Sequence, residues 1–144
     1  MRILFVDDEL FFMTPYVEAF QKAAQVVVRN AAEEAIEEIR GNVENAQYSC
    51  LVLDVMMPPP KDWEARTQDG LFTGVEILKE CQDEIIAVEL PVLILTNQKL
   101  EEVNAKVESL KFPDELVKVH AKLLTRPFYA TNVVVDLVKK WKKE

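Results

Sequence analysis

Only three glycines, two cysteines and one histidine occur among the 144 residues, and each scarcity removes a class of function. Gly41, Gly70 and Gly74 stand apart, so no glycine-rich loop is available to wrap a phosphate in backbone N–H groups. Cys50 and Cys81 lie in apolar segments and provide neither a disulfide framework nor zinc-finger spacing. They read as core filler in a reduced, cytosolic protein. No apolar run approaches the roughly 18 residues of a membrane span. The opening MRILFVDDEL is too short in its apolar part for a secretory signal and runs straight into Asp7, Asp8 and Glu9. Acidic residues outnumber basic ones, 25 to 17. A net charge of −8 sets up a field that repels nucleic acid and anionic membranes. The basic group Lys139, Lys140, Lys142 and Lys143 around Trp141 reads as a solvated last helical turn, where cations suit the negative end of the helix dipole.

What is present is an ordinary globular composition, 49% apolar, in a chain long enough for one sizeable core. Five short runs rich in Val, Ile and Leu recur at residues 2–6, 25–29, 50–53, 92–95 and 123–125. Such continuous runs predict strands buried on both faces, as in a parallel sheet. Helical spacing fills the intervals. Thr14 and Pro15 read as an N-cap and first helical residue ahead of Tyr16, Val17, Phe20 and Ala24. Asn30 is expected to cap a helix whose Ala32, Ala35, Ile36 and Ile39 point inward and which ends near Gly41. Val75, Ile77, Leu78 and Cys81 mark a third helix, and Leu100, Val103, Val107 and Leu110 a fourth. A short helical piece is expected over 114–119, and Val133, Val134, Leu137 and Val138 mark the last helix. His120 is expected before the final strand, as a surface or packing residue. The alternation predicts an α/β fold: a doubly wound five-stranded parallel sheet of order 2-1-3-4-5 with helices on both faces. A single domain over 1–144 is expected.

In such sheets ligands bind beyond the carboxyl ends of the strands, where the strand order reverses. The polar residues at those ends are Asp7 and Asp8 after the first strand, Asp54 after the third, Thr96 after the fourth and Arg126 after the fifth. Three carboxylates brought together repel one another, and a proton or a cation must relieve them. Mg2+ suits such a site, being hard and content with carboxylates, water and phosphate. A metal-backed aspartate can attack phosphorus and form an aspartyl phosphate. Arg126 would supply a cation, and Thr96 a hydroxyl donor to a phosphoryl oxygen.

These segments resemble the receiver domain of two-component response regulators over nearly the whole chain. ILFVDDE is similar to the family's first strand and acidic pair, LVLDVMMP to its acceptor segment, VLILTN to its switch strand and LLTRPF to the segment that usually reads Lys-Pro-Phe. The resemblance implies Asp54 as phosphate acceptor, Asp8 as a direct Mg2+ ligand, Asp7 as a ligand through water, and the carbonyl of Met56 as a further ligand. It makes Thr96 the residue that follows phosphoryl state, puts Arg126 where the family carries lysine, and implies a cis Arg126–Pro127 bond. Lys122 is the weaker substitute, four residues earlier and so about 13 Å away along a strand. The implied partners are a histidine kinase or phosphotransfer protein as donor and a downstream effector protein, with no nucleic acid or membrane and a monomer or weak homodimer.

Three departures stand out. Arginine replaces lysine at 126, and its planar fork is not equivalent to an ammonium point charge. The stretch PPPKDWEARTQDG, residues 58–70, pushes Gly74 about 12 residues further from the acceptor than is usual. It is open to reading as a partner site, a lid or a neutral insertion. Leu123 stands where the family often carries an aromatic residue, with Phe128 and Tyr129 nearby. The alternative reading is a receiver-like binding module that works without phosphate. An enzyme turning over an aspartyl intermediate is disfavoured, because position 56, where a second carboxylate would serve as general acid, holds Met.

Overall fold

The structure, a computed structural model, describes residues 1–123 and 127–141. Strands β1 (Arg2–Val6), β2 (Gln25–Arg29), β3 (Cys50–Asp54), β4 (Val92–Thr96) and β5 (Val117–Ala121) lie parallel in one sheet. Their order is β2-β1-β3-β4-β5, as the β-α alternation predicts. The helices are α1 (Thr14–Gln21), α2 (Ala32–Gly41), α3 (Thr73–Glu80), α4 (Gln82–Ala87), α5 (Leu100–Ser109) and α6 (Pro127–Trp141).

Alternation along each strand sorts the core into two layers. Leu4 and Val6, with Leu51, Leu53 and Ile94, face a layer completed by Ile39, Ile77, Leu78 and Ile85 from α2, α3 and α4. Ile3 and Phe5, with Val52, Leu93 and Leu95, face Tyr16 and Phe20 of α1 and Val134 and Leu137 of α6. Strands β3 and β4 are buried along their whole length, so both faces must be apolar and no alternation is left to read. The edge strands differ: β2 and β5 are half-exposed and carry polar residues. No helix among the described residues is long and apolar enough to cross a membrane.

The fifth strand corrects the sequence reading. It runs Val117–Ala121, where a short helical piece is expected, and Leu123 lies beyond it. Lys118 and His120 belong to an edge strand with one wetter side, so the segment lacks the continuous apolar run that marks the inner strands. His120 is thus inside the strand, its ring edge-on to Tyr129 with centroids 5.1 Å apart. The region after Cys81 adds a short helix, α4, that the spacing does not reveal. Thr14 does not cap α1. Met13 holds that position, and the Thr14 hydroxyl donates to the Phe11 carbonyl at 2.8 Å. Asn30 likewise gives way to Ala31 as the cap of α2.

The long stretch after β3 folds back on α3. Thr67, wholly buried, bonds the Trp63 carbonyl at 2.8 Å and receives the Gly70 N–H at 3.0 Å. Arg66 reaches Glu76 at 2.6 Å and Glu80 at 3.2 Å, with its guanidinium 4.4 Å from the centre of the Trp63 ring. The stretch closes where Met57 N–H donates to the Gly70 carbonyl at 3.2 Å. Gly70 sits at φ +95°, and an added Cβ would come within 2.7 Å of the Met57 carbonyl oxygen, so glycine alone fits this closure.

Candidate functional site: an acidic cluster bridged by a lysine

Strand register explains how residues far apart in sequence meet. Val6 pairs with Leu53, so Asp7 and Asp54 follow side by side at the carboxyl edge. Asp54 pairs with Leu95, and Thr96 with Ala121, which puts Thr96 and Lys122 at the ends of the next two strands. The chain brings a carboxylate oxygen from each of Asp7, Asp8 and Asp54 within 4.8 Å of one another. Asp7 is 1% exposed and Asp54 4%, whereas Asp8 is open to solvent. Asp7 Oδ1 accepts the Glu9 N–H at 2.8 Å, a local turn that holds the acidic loop in shape.

Lys122 is the cation of this cluster among the described residues. Its Nζ lies 2.9 Å from Asp7 Oδ2 and 3.0 Å from Asp54 Oδ2, with the side chain 7% exposed. The expected distance of about 13 Å is overturned because it assumes a strand running on through Lys122; β5 ends at Ala121, so Lys122 emerges at the carboxyl edge itself. Arg126 and its bond to Pro127 lie outside the described residues. The usable sequence signal was the alternation Val117, Lys118, Val119, His120, Ala121, followed by Lys122. The apolar pair Leu123–Leu124 masked it.

The electrostatics follow from three carboxylates around one ammonium. Burial, and then the neighbouring Asp7, push the Asp54 carboxyl up to about 7 despite the opposing pull of Lys122. Asp8, although its side chain reaches solvent, is raised by its partly buried side and then by Asp7. Burial pulls Lys122 down, but Asp54 and Asp7 more than compensate and hold it above its ordinary value. The opposite tendencies of ion pairing and burial at Asp54 have one cause: a single ammonium cannot offset two carboxylates in a dry setting. Hard oxygens with net negative charge fit a divalent ion such as Mg2+.

Thr96, 1% exposed, accepts the Gln98 N–H at 2.9 Å through its hydroxyl oxygen, which leaves its O–H as a donor. A cavity of about 210 Å³ lined by Glu9, Phe12, Met13, Asn97 and Lys122 opens beside the cluster. Met56, on the segment leaving β3, is 43% exposed. Gly74 is required just behind Asp54: a Cβ there would lie 2.2 Å from the Asp54 carbonyl oxygen and 2.9 Å from Val55 Cα. Both are backbone atoms at the end of a buried strand and have no room to retreat. Gly74→Ala is therefore expected to cost about 1–3 kcal/mol or more, read as a lower urea midpoint. An unchanged midpoint would show that α3 slides freely over the strand end.

No protein-family model and no curated protein matches the sequence. Solved structures do match, along nearly the whole chain. A response regulator receiver domain protein (CheY-like) from Methanospirillum hungatei is 15% identical, covering 99% of this chain and 96% of its own, with a TM-score of 0.70. A response regulator receiver domain from Rhodospirillum rubrum is 16% identical over 100% of this chain and 95% of its own, at 0.62. The receiver domain of the hybrid histidine kinase CckA is 20% identical, covering 95% and 99%, at 0.63. Strand order, crossover pattern and near-complete coverage agree: the chain has the fold of the CheY-like response regulator receiver domains.

Proposed function

We propose that this chain is a phosphoacceptor receiver domain, in which Asp54 takes a phosphoryl group from a protein donor and the change alters binding of an effector protein. The observation that carries the proposal is the cluster itself: three carboxylates within 4.8 Å and an ammonium held 3.0 Å from Asp54. An Asp54 oxygen forms the new P–O bond as the donor's bond to phosphorus breaks, and the leaving group departs with its electron pair. Lys122 stands where charge gathers on the transferred group, and the Thr96 hydroxyl is available to donate to one of its oxygens. Asp7, Asp8, Asp54 and the Met56 carbonyl would hold Mg2+, which when bound neutralises phosphoryl charge and the repulsion among the acids. The arriving group adds about −1.5 to −2 charge to a site with one cation among the described residues. Lys122 must then shift its contacts, and through its ladder neighbour Thr96 the outer strands feel the change.

The donor fits a histidine kinase or a phosphotransfer protein, and the role is a switch rather than a turnover catalyst. Incubation with Mg2+ and acetyl phosphate, followed by intact mass measurement, is the test. Wild type is expected to gain the mass of one phosphoryl group and Asp54→Ala none. No gain in a folded, Mg2+-binding wild type would move the assignment to a binding module that works without phosphate.

A further inference from the structure

Lys122 and Leu123 follow directly on β5, which ends at Ala121. The lysine's own N–H donates to the Thr96 carbonyl at 3.0 Å, one rung past the β4–β5 ladder. The next residue, Leu123, is 44% exposed, so side-chain packing does not fix it. Its N–H instead donates to the phenol oxygen of Tyr16 at 2.6 Å, across 107 positions of sequence.

Tyr16 is well placed to act as an anchor. It comes from the first turn of α1, is 1% exposed, and packs against Phe20 with ring centroids 6.3 Å apart. A ring so confined fixes the position of its oxygen, and with it the Leu123 nitrogen. The backbone of Lys122 is thereby pinned on both sides, by Thr96 before and by Tyr16 after. A lysine side chain is a long flexible stem, and holding its ammonium on two carboxylates at once demands a fixed starting point. We infer that Tyr16 is a positioning residue: its phenol holds the segment that aims Lys122 at Asp7 and Asp54.

The aiming stands on contacts in the structure, and only its consequence for phosphoryl uptake rests on the proposed function. The test therefore begins without metal or phosphodonor. Surface lysines are acetylated with an amine-reactive reagent and followed by peptide mass spectrometry, with Lys118 as internal reference. Losing the phenol in Tyr16→Phe removes one buried hydrogen bond and is expected to raise Lys122 labelling and Leu123 amide exchange about tenfold. Both staying within about twofold of wild type, on the same scale, would overturn the inference. Phe20→Leu disturbs the same packing but keeps the phenol; an equal rise there would reduce the effect to general loosening and also overturn it. With acetyl phosphate and Mg2+, Tyr16→Phe is expected to slow uptake in the wild-type background and to add nothing in Lys122→Met. A further loss in Lys122→Met would break the route through the lysine. If wild type takes no phosphate, the acceptor proposal fails, and the labelling and exchange results alone decide the role of Tyr16.

Discussion

Lys122→Met is expected to destabilise the protein by about 3–5 kcal/mol at pH 8, because it leaves two buried carboxylates face to face without their cation. Methionine matches the stem in length, so lost packing contributes little. The loss should shrink at pH 5, where Asp54, already pushed up to about 7, takes a proton instead of bearing an unpaired charge. Urea titrations at the two pH values read this directly. A loss below about 1 kcal/mol at both would mean that the pair behaves as a solvated surface contact. Phosphoryl uptake should fall about 10²–10³-fold, the usual effect of removing a group that faces developing charge. Arg126→Met run beside it separates the two cations: Lys122→Met is expected to be the more damaging by at least about tenfold. The reverse order would return the cationic role to Arg126.

Without metal, the contribution of Asp54 to stability should fall as pH rises from about 4 to about 7, against the common acid-labile pattern, and is read as the difference between wild type and Asp54→Asn. Asp54 binds its proton more tightly in the fold than its ordinary 3.8 allows. A group of this kind stabilises the fold fully below the unfolded value and loses that contribution as pH climbs through the folded one. The interval from 3.8 to about 7 corresponds to about 4 kcal/mol at most. Lys122, held above its ordinary value, stays charged throughout and does not alter the sign. Mg2+ competes with that proton, so millimolar Mg2+ is expected to raise the thermal midpoint clearly at pH 8 and hardly at pH 5. Its apparent affinity should weaken about tenfold for each pH unit below about 7, since one proton is displaced. A midpoint shift of equal size at both pH values would mean that the metal does not meet Asp54.

β1, β3 and β4 were legible because burial on both faces leaves little choice of residue, and the edge strand β2 was legible because Val26, Val27 and Val28 still run on without a break. β1 and β2 coincide with their predicted bounds, and β3 and β4 extend theirs by one residue each, to Asp54 and Thr96. Asp7, Asp8 and Asp54 were legible for a related reason, since the strand ends locate them once the sheet order is known. The fifth strand was not. Val-Lys-Val-His-Ala follows the looser rule of an edge, and Leu123 with its apolar neighbour presented a stronger imitation of an inner strand. That single displacement hid Lys122, because a lysine in mid-strand and a lysine at a strand end are the same letter. Tyr16 was read only as part of an apolar face. Its hydroxyl acquires meaning from Leu123, and no local pattern links positions 107 residues apart. The closure of the 58–70 stretch on Gly70 was equally invisible, since it depends on Thr67 meeting the Trp63 carbonyl and the Gly70 N–H, and on Arg66 reaching Glu76 and Glu80, contacts that no local pattern announces.

Because Met57 and Gly70 meet through one backbone hydrogen bond, the chain leaves the sheet and returns at nearly the same point. Loop closure costs grow only with the logarithm of length, so the domain tolerates a long detour here about as readily as a short one. The fold thus has a splice port beside its acidic edge. Trp63, Arg66, Thr67 and Gly70 moor the detour, and a change of length between those moorings is expected to leave the register of the sheet beneath unaltered.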